Sequence, residues 1–202
     1  MTENCSPNPD VINPEMKLED VRYKVNANTC DGYGRSTASG RGYNAERLVN
    51  AIFHESGRVF RASIEPYVDA YVPGEISYDV EVKSCVARYQ GSSTSEPGRY
   101  GQFRIWKHHH DQLIAETTLS DSRTAIYFFV VYSVRYGIEE EVGKLLVPAE
   151  VVDDVLDNWS LEEHVTMGEQ KTRQISWHLL LKRLGVSTDR FKSEDIIDLT
   201  NE

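Results

Sequence analysis

The segment Thr124–Val134 constrains the fold more than any other part of the chain. Its TAIYFFVVYSV run is apolar at odd and even positions alike and is built from β-branched and aromatic residues, as suits a strand buried on both faces. A membrane helix needs roughly 20 apolar residues, about twice what this run offers, so protein has to cover it. A strand covered on both sides implies a sheet with further layers packed against each face. With 202 residues the chain is long enough for one such domain and short for two. Hydrophobic residues make up 40% and charged residues 27%, within the ordinary globular range.

Residues 1–40 are rich in Asn, Pro, Ser, Gly and Thr without a sustained period, which reads as a flexible N-terminal tail. From Gly42 onward Ala45, Leu48, Val49, Ile52 and Phe53 form the stripe of an amphipathic helix, with Gly57 as its stop. Strands are predicted over Arg58–Ile64, Tyr67–Val72 and Ile76–Ser84, the last two joined by the turn residues Pro73, Gly74 and Glu75. Val86–Gly101 is Ser/Gly/Pro-rich and reads as a long loop. A short strand at Phe103–Trp106 then leads into a helix over Lys107–Glu116. Beyond Thr124–Val134 a strand is predicted at Leu145–Val147, and Pro148 opens a helix carrying Val151, Val152, Val155 and Leu156. A last helix, around Trp177–Leu184, is stopped by Gly185. The expectation is one α/β domain over residues 41–190, a mixed central β-sheet flanked by helices, followed by a polar C-terminal tail over residues 191–202.

The chemistry lies in the strand Ile76–Ser84. Side chains alternate across a strand, so Asp79, Glu81 and Lys83 share one face while Ile76, Tyr78, Val80 and Val82 share the other. The preceding strand presents Tyr67, Asp69 and Tyr71 together. If Val72 pairs with Ile76 around the three-residue turn, Asp69 falls opposite Asp79 and diagonal to Glu81, roughly 7–8 Å away. A register shifted by one would mix acidic and apolar faces, so the alternation selects this one. Two carboxylates and an ammonium then converge. Hard oxygen ligands of this kind suit Mg²⁺ or Mn²⁺, which can activate a water for attack on a phosphodiester. Lys83 would orient that water or stabilise the developing charge, and Glu46, on the first helix beside Val49 and Asn50, could reach the same ion.

The runs GRGYNAERLVN, VDAYV and YDVEVKS, in this order within about residues 40–135, resemble the active-site order of the PD-(D/E)xK nuclease superfamily. They are particularly similar to the archaeal Holliday junction resolvases, in which a Gly-x-x-x-Glu-Arg helix precedes a strand bearing aspartate and then Glu-Val-Lys. The resemblance implies a restriction endonuclease-like core and a metal-dependent DNA endonuclease, acting on branched or junction DNA. It also implies Glu46, Asp69, Glu81 and the Val82 carbonyl as metal ligands, with Glu46, Asp69, Glu81 and Lys83 as the catalytic set. Two alternatives stay open: a nuclease fold serving as a non-catalytic DNA-binding module, and a sequence-specific restriction-type endonuclease.

A net charge of −10 argues against a nucleic-acid partner until its distribution is considered. From Lys83 to Lys107 five basic residues face one acid, and from Gln170 to Arg183 four face none. Arg88, Arg99, Arg104, Lys107, Lys171 and Arg173 are accordingly the candidate DNA-phosphate contacts. Tyr67, Tyr71, Tyr100, Trp106 and Trp177 could stack on unpaired bases, though most are expected in the core or at its rim. His108, His109 and His110 point about 100° apart on a helix and cannot share one zinc ion; they are read as surface histidines. Cys85, right after the motif, is read as a small buried hydrophobe. Cys5, Cys30 and Cys85 form no disulfide framework or CxxC pair, so a reducing, cytoplasmic location is the default. DNA is the expected partner, a homodimer is admitted, and no membrane segment is expected.

Overall fold

The computed structural model describes residues 38–55, 61–62, 67–89, 98–118, 122–135, 138–164 and 168–200. Helix α1 (Ala38–Glu55) is followed by β1 (Arg61–Ala62), β2 (Ala70–Val72), β3 (Ser77–Val86), β4 (Gln102–Trp106) and α2 (Lys107–Thr118). A long hairpin of β5 (Arg123–Arg135) and β6 (Ile138–Pro148) comes next, then α3 (Ala149–Val155), β7 (Ser160–His164) and β8 (Gly168–Ser176). The described chain ends in α4 (Trp177–Arg183), α5 (Thr188–Ser193) and β9 (Ile197–Asp198).

The main sheet runs β1-β2-β3-β5-β6-β9. It is mixed: β3 lies parallel to β5 and β9 parallel to β6, while the other pairs are antiparallel. A second, antiparallel sheet is ordered β4-β8-β7. The expected central strand is β5, in which every residue from Ala125 to Tyr132 is buried. On one face Ile126, Phe128 and Val130 pack with Val80 and Val82 of β3 and with the α1 stripe Ala45, Leu48 and Val49. On the other, Tyr127, Phe129 and Val131 pack with Leu113 of α2, Val152 of α3, Phe103 and Ile105 of β4, and Leu180 and Leu181 of α4. Burying a large apolar side chain stabilises a fold by roughly 1.5–3 kcal/mol, so the two faces of one strand organise both halves of the core. Among the described residues no helix is long and apolar enough to cross a membrane.

Several boundaries differ from the sequence expectation. The strand expected at Leu145–Val147 extends over Ile138–Pro148, because its outer half pairs with β5 residue by residue past a bulge at Val131/Tyr132. The strand expected over Tyr67–Val72 is confined to Ala70–Val72. The Arg58–Ile64 expectation falls largely outside the described residues, as does the 1–40 segment up to Ala38 and most of the loop interior, 90–97. Residues 191–202, expected as a polar tail, include Phe191 and Ile197, both buried, and Ile197–Asp198 pairs with Leu145 and Leu146. Two apolar residues in a polar stretch were too few to show periodicity, yet each fills a place beside β6. Gly185 does end α4, at φ 71°, a backbone region that glycine enters without strain.

Candidate active site

The register of β2 on β3 sets the site. Ala70 pairs with Val80, Tyr71 with Asp79 and Val72 with Tyr78, so Tyr71, and not Asp69, stands opposite Asp79. The expected three-residue turn is wrong because Ile76 is half exposed and does not pair, and Pro73 has no N–H to offer a ladder. The slip is by two residues and therefore leaves the faces unchanged. It also carries Asp69 two places along β3. The Asp69 N–H donates to the Val80 carbonyl at 2.9 Å, and the Val82 N–H donates to Asp69 Oδ2 at 2.6 Å, so these two bonds bracket Glu81. In a ladder the N–H and C=O of one residue face the same neighbour; the Val82 carbonyl thus faces the side occupied by Asp69.

Glu81 is buried, and its Oε1 is bonded by Lys83 Nζ. Burial pushes the Glu81 carboxyl up to about 8 against the pull of Lys83, and neighbouring Asp69 raises it further. Glu46, beside the α1 stripe, is pushed up to about 7 by burial and then by Asp69, with Lys83 opposing. Burial alone would lower the Lys83 ammonium; Glu81, and then Asp69 and Glu46, more than offset this and hold its pKa above the usual lysine value. The structure therefore brings Glu46, Asp69, Glu81 and Lys83 within electrostatic reach of one another, from α1, the approach to β2, and β3.

Raised carboxyl pKa values have a consequence for stability. Below about pH 4.5 these glutamates are protonated whether the chain is folded or not. Above it the unfolded chain releases protons that the folded site retains, so stability falls as pH rises toward 7 and 8. In chelator, Tm is expected to drop between pH 5.5 and 8.5, and the drop to shrink in Glu81→Gln. Each tenfold difference in proton affinity is worth about 1.4 kcal/mol. A Tm that climbs through this window, with no difference between wild type and variant, would contradict the burial of these acids.

A family model of the PD-(D/E)XK nuclease superfamily domain matches residues 33–182, a span that includes α1, both sheets apart from β9, and all four clustered residues. The chain belongs to the PD-(D/E)XK nuclease superfamily. No curated protein matches it. The mixed sheet with flanking helices is the layout expected for a PD-(D/E)XK core, and its parallel β3–β5 pair carries Glu81 and Lys83 on a strand buried in the sheet.

PD-(D/E)XK nucleases generally use divalent metals, and the donor set here fits one in kind: three carboxylates within electrostatic reach of one ammonium, two of them with proton affinity raised first by burial. Among the described residues, no three His, Cys, Asp or Glu side chains already close on a common point. As they stand, Glu81 is held by Lys83 and Asp69 by the Val82 N–H.

Two histidines near the cluster were read from the sequence as surface residues. His109 is close enough to Lys83 to feel its charge; burial first, then His108 and Lys83, depress its pKa to about 4, so it is neutral near pH 7. His110, expected at the surface, is fully buried. Its Nε2 lies 3.1 Å from Asp153 Oδ1 and its Nδ1 lies 2.9 Å from the Tyr127 hydroxyl. Burial lowers its pKa, and a neutral ring that donates Nε2–H to a carboxylate accepts at Nδ1, so the Tyr127 O–H donates to His110. Tyr127 is paired with Glu81 across β3 and β5. The histidine trio masked this in the sequence, since polarity on a helix gave no sign of which residue faces the core.

The other candidates scatter. Arg88 and Arg99 are exposed and stack on Tyr100 and Tyr89, at 4.3 and 5.0 Å from the ring centroids. Arg104 pairs with Glu162 at 3.4 Å, Lys107 with Asp111 at 2.6 Å and Arg173 with Asp157 at 3.0 Å. Lys171 is exposed on β8. Trp177 is a core residue whose Nε1–H donates to the Ala87 carbonyl at 2.8 Å, and Cys85 is a buried thiol.

Proposed function

We propose that this chain is a metal-dependent endonuclease that hydrolyses DNA phosphodiesters at the Glu46, Asp69, Glu81 and Lys83 cluster. The Glu81–Lys83 ion pair, with Glu46 and Asp69 within electrostatic reach of it, carries the reading. Glu46, Asp69, Glu81 and the Val82 carbonyl would hold Mg²⁺ or Mn²⁺. Bound there, such an ion supplies a water of lowered pKa and neutralises charge developing on the phosphate. Lys83 adds positive charge where the phosphoryl oxygens gain negative charge, and Glu81 holds its ammonium in place. Neutral His109 sits beside Lys83 without repelling it. Arg88, Arg99, Arg104, Lys107, Lys171 and Arg173 would contact flanking phosphates, several by exchanging a carboxylate partner for a phosphate. Branched and junction DNA is the substrate form favoured by the motif order.

The test is cleavage of four-way junction, linear duplex and single-stranded DNA in Mg²⁺, Mn²⁺ or EDTA. Cleavage in metal but not in EDTA is expected, with the junction cut fastest. Metal is also expected to raise Tm more at pH 8 than at pH 5.5, because it binds ionised carboxylates. A second reading, a non-catalytic DNA-binding module, draws on the carboxylates not already closing on one point; DNA binding without cleavage in any metal would select it.

A further inference from the structure

Two residues before Glu81 on the same face of β3, Asp79 is almost fully buried and grips Arg123, the first residue of β5. Arg123 Nε lies 2.6 Å from Asp79 Oδ2, and its Nη2 donates to Oδ1 at 3.0 Å. This pair orients the guanidinium from the Asp79 side, through the ion pair at Nε and the hydrogen bond from Nη2. The Arg123 side chain is 37% exposed and lies 5.8 Å from the Tyr71 ring centroid. With Tyr71, Ser77 and Ser122 it lines a cavity of about 410 Å³. The Tyr71 hydroxyl donates to Ser77 Oγ at 3.0 Å, and the Ser77 N–H ties this corner to the Ser122 carbonyl at 2.9 Å.

We infer that this cavity is a phosphate subsite, in which Arg123, positioned by Asp79, and the hydroxyls of Tyr71, Ser77 and Ser122 hold a backbone phosphate flanking the scissile one. Among the described residues the lining is a cation and three hydroxyl-bearing side chains, and the Asp79 carboxylate is bound to that cation. Such a surface offers hydrogen-bond donors to an anion. Its position suits a strand already engaged at the cluster. Tyr71 and Asp79 precede Glu81 by one pleat of the sheet, about 6.6 Å at the strand rise, which is one or two nucleotide steps along a DNA strand. Parallel pairing keeps Ser77 and Arg123 on the same face as Glu81 and Tyr127. The subsite rests on the nuclease reading for its occupant, and its test separates the two.

The test uses the whole chain and a labelled duplex. Asp79→Asn/Arg123→Gln keeps the buried pair hydrogen-bonded and the net charge unchanged while removing the cation. By anisotropy in EDTA, its Kd for the duplex is expected to rise about tenfold, as for loss of one charge-assisted contact, and the slope of log K against log salt to fall by about one. A single methylphosphonate walked along the strand should weaken wild-type binding by a similar factor at one position and leave the double variant unaffected there. In cleavage, the loss should fall on KM and not on kcat. A folded double variant that binds duplex, and senses every methylphosphonate, as wild type does would overturn the subsite. So would displacement of duplex from wild type by inorganic phosphate at concentrations the variant resists, combined with no methylphosphonate position that matters, since that marks a free-anion site. Should the double variant not fold, Ser77→Ala/Ser122→Ala and Arg123→Lys carry the same readouts. Wild type that binds but never cleaves fails the nuclease reading and leaves the binding arm decisive; wild type that cleaves, with variants unchanged, fails the subsite alone.

Discussion

Lys83→Ala is expected to lower the DNA cleavage rate by about 10³-fold or more, the scale on which loss of one well-placed electrostatic group acts at a reacting phosphate. The loss has two sources. The alanine removes positive charge from beside the reacting centre. It also releases Glu81, whose proton affinity is already raised by burial, so the carboxylate becomes harder to ionise and a poorer metal ligand. Substituting the lysine also takes a compensating charge from Glu46 and Asp69. The variant should therefore be less stable than wild type at pH 8, and much closer to it at pH 5.5, where the glutamates hold protons. Asp69→Ala should match the rate loss by a separate route, because it removes a carboxylate and leaves the Val82 N–H without its acceptor. Single-turnover cleavage with a parallel melt distinguishes the chemistry from folding. Folded variants of both kinds that cut DNA at wild-type rates would place the reaction elsewhere in the molecule.

The largest effect on stability is expected from a residue without a side chain. Gly101 is buried between the end of β3 and the start of β4, and a methyl group there would lie 1.6 Å from the Val86 carbonyl oxygen and 2.7 Å from its carbon. Both are backbone atoms of the strand that carries Glu81 and Lys83, so no rotamer change relieves the clash. The same crossing is tied by the Trp177 N–H to the Gly101 carbonyl at 3.1 Å and by the Trp177 indole to the Ala87 carbonyl. Overpacking commonly costs about 1–3 kcal/mol when side chains can adjust; backbone against backbone, Gly101→Ala should cost at least about 3 kcal/mol, a large share of a typical domain's 5–15 kcal/mol. Gly42→Ala is the matched control. Gly42 is inside α1 with nothing within 4 Å of the added methyl, so helix propensity alone applies and a gain of up to about 1 kcal/mol is expected. Urea melts giving the two substitutions the same sign would contradict this packing.

Much of the site was legible because strand parity is robust. Asp79, Glu81 and Lys83 fall on one face of β3 whatever the partner strand does, and an even slip of β2 returns Asp69 to that face. Turn length was not legible: Pro73, Gly74 and Glu75 signal a turn, while only the exposure of Ile76 shows how far it extends. The burial of His110 and the role of Arg123 were hidden for a related reason. A polar residue in a helix or at the start of a strand looks solvated until its partner, Asp153 or Asp79, arrives from a distant part of the chain.

By itself, the sequence determined the buried central strand, the α/β class and the set of acidic and basic residues on one strand face, because these follow from side-chain periodicity over neighbouring positions. The tertiary structure alone decided how close Asp69 comes to Glu81, that Glu46 joins them from α1, and that Phe191 and Ile197 belong to the fold. Each of these depends on contacts between residues far apart in sequence, and long-range pairing leaves no periodic trace in either segment.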